Sequence, residues 1–165
     1  MRICIINGQL GPAFKHLGHE VLEIYPPPGI LDVHAELNAI GFVPDLLIQT
    51  EVLGPRVILA GLESLKCPKV FWSVDTHLNA FWHVHYGRLF DAVATTQPCW
   101  VSKMQVSGLP YVFILPWFGV IAPFKQYSRR AYDVSFCGRI GPERPIRQRF
   151  LEFLEKYFNP KVEQN

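Results

Sequence analysis

Residues Val70–His85 read VFWSVDTHLNAFWHVH, and this stretch decides the fold. Val70, Phe71 and Trp72 form a short apolar run behind Pro68, the pattern of a strand buried on both faces. Small, acidic and imidazole side chains follow at Ser73-Val74-Asp75-Thr76-His77, and then a helix-like aromatic run, Phe81, Trp82, Val84 and His85. Buried strand, polar turn and helix in that order belong to an open parallel sheet, where ligands bind beyond the carboxyl ends of the strands. Asp75 and His77 stand on such a strand-end loop. A carboxylate beside an imidazole can orient it as a base, so both are candidate catalytic residues. The same pair also fits a structural role, with Asp75 as the helix N-cap and His77 in the first turn.

Upstream, Ile3-Cys4-Ile5-Ile6 reads as a first buried strand. Asn7–Pro12 is a glycine-bearing turn opening a short helix that Gly18 stops, and His19–Ile24 is a second strand. This is the start of a βαβ unit. Gly8 and Gly11 do not make a G-x-G-x-x-G, and no ribose-binding acid closes the second strand, so no nicotinamide cofactor is expected. Gly8 fits either close approach of the backbone to a ligand or a tight turn. Leu31–Ile40 reads as a helix ended by Gly41, and Asp45–Gln49 as a third strand. Arg56–Leu65 reads as a helix with apolar residues at 57, 58, 59, 62 and 65. Downstream, Asp91–Thr95 is a fifth strand, Cys99–Val106 a helix, and Tyr111–Leu115 a sixth strand. The alternation predicts an α/β, Rossmann-like, doubly wound parallel sheet of about six strands.

With 165 residues, of which 49% are hydrophobic and 18% charged, the chain can bury a substantial core and is not disordered. A net charge of +2 is too small to point to a nucleic-acid partner. The basic residues cluster late, at Lys125, Arg129, Arg130, Arg139, Arg144, Arg147, Arg149 and Lys156, so the anion-binding potential is C-terminal. The four cysteines are scattered without a CxxC, as reduced thiols of a cytosolic protein are. The apolar run before Asn7 is too short for a signal peptide or a membrane span, and a cytoplasmic location is expected. His83 and His85 point to different faces of a helix, and no HExxH is present, so no metal is expected.

After Pro116 the pattern changes. Asp133–Cys137 reads as a new strand, Gly138–Arg144 as a loop of glycine and arginine, and Ile146–Phe158 as an amphipathic helix. A lone βα unit cannot bury its own faces. A second domain is therefore expected to begin near Tyr132, with the chain stopping inside it, giving domains 1–130 and 131–165.

Three features together resemble the N-terminal half of a GT-B glycosyltransferase, closest to the spore-maturation-protein type. They are the opening strand with the later Gly18-His19-Glu20-Val21, the run Asp91–Thr96 continuing through Val101 and Gly108 to Leu115-Pro116, and Asp133–Arg139 followed by Pro142-Glu143-Arg144. The resemblance implies two Rossmann-like domains facing across a cleft, the first taking the acceptor and the second a nucleotide-sugar donor. It implies that Arg139 and Arg144 bind the donor diphosphate, with Gly138 letting the phosphate approach the backbone. Arginine stands at 144 where many relatives have lysine, and it can still engage phosphate bidentately. The segment that would grip base and ribose is not in the chain, so the chain by itself is expected to be inactive. Asp75 or His77 would take the acceptor proton. The alternative is a non-catalytic, Rossmann-like module that binds a small ligand or nucleotide. A cobalamin-type D-x-H-x-x-G is a poor match, because position 80 is Ala and the motif follows the fourth strand.

Overall fold

The computed structural model describes residues 1–52, 54–109, 111–117, 134–138, 140–158 and 161–163. Its elements run β1 (Arg2–Ile6), α1 (Gly11–His16), β2 (Glu20–Ile24), β3 (Gly29–Asp32), α2 (Val33–Ile40), β4 (Leu46–Thr50), β5 (Val57–Ala60), β6 (Lys69–Ser73), α3 (Thr76–Tyr86), β7 (Ala92–Thr95), α4 (Pro98–Val106) and β8 (Val112–Ile114). Beyond these come β9 (Ser135–Cys137), α5 (Pro145–Tyr157) and β10 (Lys161–Glu163). The chain divides into two compact units, Met1–Gly119 and Val120–Asn165.

Six strands form one sheet in the order β2-β1-β4-β6-β7-β8, and every pairing is parallel. The predicted sheet is thus present, with Val70–Trp72 at its centre between β4 and β7. Consecutive residues on these strands point to opposite faces, and both sets are buried, as a sheet covered on two sides requires. One face packs Cys4, Ile6, Leu47, Phe71 and Val93 against Val33 and Leu37 of α2, Tyr86 of α3 and Met104 of α4. The other packs Ile3, Ile5, Ile48, Trp72 and Ala94 with Leu10 and with Phe14 of α1. Trp72 also stacks on Trp117, with ring centroids 5.3 Å apart, and its Nε1 donates to the Leu115 carbonyl at 3.0 Å.

The segment Arg56–Leu65 departs from its predicted helix. Val57–Ala60 is a strand, paired in parallel with Gly29–Asp32 as a separate two-stranded ribbon. Its apolar residues at 57, 58 and 59 are consecutive and two are β-branched, which favours an extended chain. The ribbon is tied to the sheet by buried side chains. Gln49 Nε2 donates to the Val57 carbonyl at 2.8 Å, Tyr86 Oη donates to Gln49 Oε1 at 2.7 Å, and the Leu59 N–H donates to Tyr86 Oη at 2.8 Å. These bonds take up polar backbone groups that no neighbouring strand reaches. Burial pushes the Tyr86 hydroxyl up to about 12, with the bonds to Leu59 and Gln49 working the other way. Asp32 then starts α2, its Oδ1 accepting from the Ala35 N–H at 2.9 Å, two residues later than the predicted start.

In the second unit β9 and β10 pair in parallel, and α5 buries Leu151 and Leu154. Cys4, Cys67 and Cys99 are free thiols, the first two buried. Burial, reinforced by the neighbouring Cys67, pushes the Cys4 thiol up to about 12, so it is not a reactive thiolate. No helix among the described residues is long and apolar enough to cross a membrane.

Candidate functional site

Chain order reverses at β1. The chain leaves β1 for β2 on one side and returns to β4 on the other, and in open parallel sheets the carboxyl ends at such a switch point, here of β1 and β4, are where a ligand crevice forms. Asn7 and Gly8 end β1, Thr50 and Glu51 end β4, and Ser73 to His77 follow β6. Asn7 takes a left-handed backbone, φ 58°. A Cβ at Gly8 would lie 2.6 Å from Ile5 Cγ2 and 2.8 Å from Thr50 Oγ1, so β1 and β4 leave no room for a side chain there. Tyr25 Oη donates to the Gly8 carbonyl at 2.7 Å and fixes the loop from the β2 side.

Glu51 organises the centre. Its side chain is wholly buried, and its Oε2 accepts the backbone N–H groups of Val74 and Asp75, each at 2.8 Å. Its Oε1 accepts from Asn79 Nδ2 at 2.5 Å and faces His83 Nε2 at 3.3 Å. That last contact is at ion-pair distance but does not count as a hydrogen bond. Burial alone raises the Glu51 carboxyl, but His83 and the amides of Asp75 and Val74 outweigh it and hold the group below its ordinary 4.5.

From His83 the network continues inward. His83 Nδ1 lies 2.7 Å from Ser73 Oγ, Ser73 Oγ 2.5 Å from Thr76 Oγ1, and Thr76 Oγ1 2.8 Å from Thr95 Oγ1. Acid, imidazole and hydroxyl in series have the order of a nucleophilic triad. Burial decides against that role: Ser73, Thr76, His83 and Thr95 are all at 0% exposure, out of reach of any substrate. The network instead locks the β6–α3 turn, and Glu51 is its anionic end.

A carboxylate held below 4.5 contributes stability that is whole above that pH and is lost as pH falls through the lower folded value. The stability difference between wild type and Glu51→Gln should therefore shrink on acidification below about pH 4.5, because protonated Glu51 approaches a glutamine in charge. Urea midpoints at pH 7, 5 and 3 measure this. A difference that stays constant across the series would contradict it.

The candidates read from sequence fall in three places. Gly8 lies at the end of β1 and Asp75 at the end of β6, with Thr50 and Glu51 of the intervening strand touching one and bonding the other. Asp75 occupies the N-cap position of α3 through its carbonyl, which accepts from Leu78 and Asn79, but its carboxylate caps nothing. His77 is exposed and leans toward the end of β7. Gln97 Oε1 accepts the His77 backbone N–H at 3.1 Å, which turns the Gln97 amide nitrogen to His77 Nδ1 at 2.5 Å. Nδ1 is thus an acceptor, and neutral His77 carries its hydrogen on Nε2. In this arrangement His77 Nε2 is left as an exposed donor beside the end of β7.

Gly138 and Arg144 belong to the second unit. Gly138 is half-buried beside the Phe136 ring, and Arg144 is exposed at the N-cap of α5, its N–H donating to the Gly141 carbonyl at 2.9 Å. Arg139 lies outside the described residues. Among the described residues no group of three or more His, Cys, Asp or Glu side chains is placed to hold a metal ion.

Sequence reasoning missed Glu51 and Asn79 and weighed His83 only as a metal ligand. The signal was available as parity and period. Ser73 has the parity of Phe71 and faces α3, and Asn79 and His83 are four apart on one side of that helix. A carboxylate at the end of the adjacent strand is the partner such a polar stripe needs. No protein-family model matches the chain, and no curated protein is similar enough to it to count as a match.

Proposed function

We propose that the chain carries the acceptor-side domain of a glycosyltransferase that moves a sugar from a nucleotide-sugar donor to an acceptor hydroxyl. Residues 134–158 would be the opening βα of the donor-binding domain. The observation that carries this reading is Asp75: a carboxylate at the carboxyl end of a central strand, its main chain fixed by buried Glu51 and its side chain used for no cap. Such a group is free to take the proton of an acceptor hydroxyl as the new glycosidic bond forms. His77, with its hydrogen on Nε2, would donate to an oxygen of the same acceptor and orient it. Arg139 and Arg144 would neutralise the diphosphate as it leaves, and the effect would appear mainly in turnover because that charge grows in the transition state. A cytoplasmic location goes with a nucleotide-sugar donor and with the buried free thiols Cys4 and Cys67.

The test is Arg139→Ala and Arg144→Ala in the protein expressed from its complete reading frame. Turnover should fall about 10- to 100-fold for each, as loss of a charged hydrogen bond implies, with acceptor KM little changed. Unchanged turnover and unchanged inhibition by nucleoside diphosphate would make both arginines ordinary surface charges.

A second reading, a small-ligand module without catalysis, draws on a different observation. Asn7 Nδ2 and Thr50 Oγ1 are buried at the switch point without a hydrogen-bond partner among the described residues. Saturable binding of a small molecule with no transfer would favour that reading.

A further inference from the structure

At the same edge of the sheet, the loop after β4 carries an arginine on a prepared aromatic seat. The Arg56 guanidinium lies 4.8 Å from the centroid of the Trp82 ring and 5.7 Å from that of Phe81. The seat is fixed from below. Trp82 Nε1 donates to Asn79 Oδ1 at 3.2 Å, and Asn79 Nδ2 in turn donates to buried Glu51. The arginine's own backbone is also held, since its carbonyl accepts from the Gly29 N–H at 2.9 Å and the next carbonyl, of Val57, from Gln49. A long cationic side chain normally loses rotamer freedom when it binds; stacking on two rings removes part of that cost beforehand.

What stacking does not do is satisfy the donors. Arg56 is exposed, and among the described residues its guanidinium makes no hydrogen bond or ion pair. Guanidinium N–H groups left unused by the protein, in a planar fork held in one place, match the oxygens of a phosphate or carboxylate. The nearest carboxylate in the network, Glu51, is already committed to the Val74, Asp75 and Asn79 donors and to His83. Beside the cation the surface is apolar: Phe81 is 67% exposed and Leu78 is 62% exposed, one turn apart on α3. Both belong to α3, whose N-cap residue is Asp75.

We propose that Arg56, seated on Phe81 and Trp82, binds an anionic group, a phosphate or carboxylate, on the molecule that enters the crevice, with Phe81 and Leu78 covering an apolar part of it. This rests on the reading above and deepens it: the acceptor is an anionic sugar or glycoside, and the proton that Asp75 takes up comes from that molecule's hydroxyl.

The experiment is a titration of the ¹⁵N-labelled chain, followed at the Trp82 indole and Arg56 Nε signals. The probes are glucose 6-phosphate, glucuronate and neutral glucose. At least one of the two anions should give saturable shifts at both signals, weakening with added salt, and glucose should give none at the same concentration. Which anion binds more tightly tells phosphate from carboxylate. Arg56→Ala should weaken binding by about tenfold or more. Arg56→Lys, which keeps the charge and loses the fork, should fall between. Absence of saturable shifts with both anions, equal shifts with glucose, or full affinity in Arg56→Ala would overturn the proposal. The outcome is separable from that of the transferase reading. Anion binding without any sugar transfer leaves Arg56 standing and removes the transferase. Transfer that is indifferent to Arg56→Ala does the reverse.

Discussion

Replacing Glu51 with leucine is expected to destabilise the sheet unit by about 3–5 kcal/mol, the range found when one partner of a buried charged cluster is removed. Leucine fills most of the volume, so the loss is not a cavity. It strands the Val74 and Asp75 N–H groups, the Asn79 amide and His83 around a side-chain position that is itself wholly buried. Glu51→Gln keeps one acceptor oxygen for the two backbone amides but points an amide nitrogen at Asn79 and His83, so about 1–3 kcal/mol is expected. Urea unfolding followed by tryptophan fluorescence measures both, since all four tryptophans, Trp72, Trp82, Trp100 and Trp117, lie within Met1–Gly119. With a urea slope of about 2 kcal/mol per molar, the leucine variant should lose about 2 M in midpoint. A shift under about 0.5 M would mean that the turn holds without its anion.

Asp75→Asn should leave the fold alone and remove the chemistry. The backbone N–H of residue 75 makes the contact to Glu51, and the side chain caps nothing, so asparagine keeps what the fold uses. Surface changes of this kind stay within about 0.5 kcal/mol. Turnover, by contrast, should drop by about 10²- to 10⁴-fold if the carboxylate takes the acceptor proton. Acceptor KM should move little, because an amide can still accept a hydrogen bond from the hydroxyl but cannot take its proton. His77→Ala should have the smaller effect, since His77 is placed to donate and not to accept. Equal losses for the two variants would mean that they act as one unit and that the donor role given to His77 is wrong.

The sheet was legible because its strands are apolar on both faces. Runs such as Ile3–Ile6 and Val70–Trp72 fit nothing but a covered parallel sheet, and the glycines at 18, 41 and 108 each sit just past a helix with positive φ. Arg56–Leu65 was misread because its apolar positions satisfy a helical period and a strand run at once. The arbiter is Gly29–Asp32, 28 residues away in the pairing register, and local pattern does not reach that far. The site was legible only at its rim. Asp75 and His77 announce themselves as polar residues at a strand end, whereas Glu51 looks like the last residue of its own strand. Its role exists only through donors that come from the β6–α3 turn and from one side of α3. Nothing local distinguishes it from a solvated glutamate, and the partners that keep it charged inside the protein are 23 to 32 positions downstream.

The most direct measurement is release of nucleoside diphosphate from a panel of nucleotide sugars, using the protein expressed from its complete reading frame with an acceptor panel of neutral and anionic glycosides. One donor should give acceptor-dependent release that Asp75→Asn abolishes in a protein still folded by its urea midpoint. Release from no donor by the folded wild-type protein, or release that Asp75→Asn leaves unchanged, would contradict the assignment of this crevice to sugar transfer.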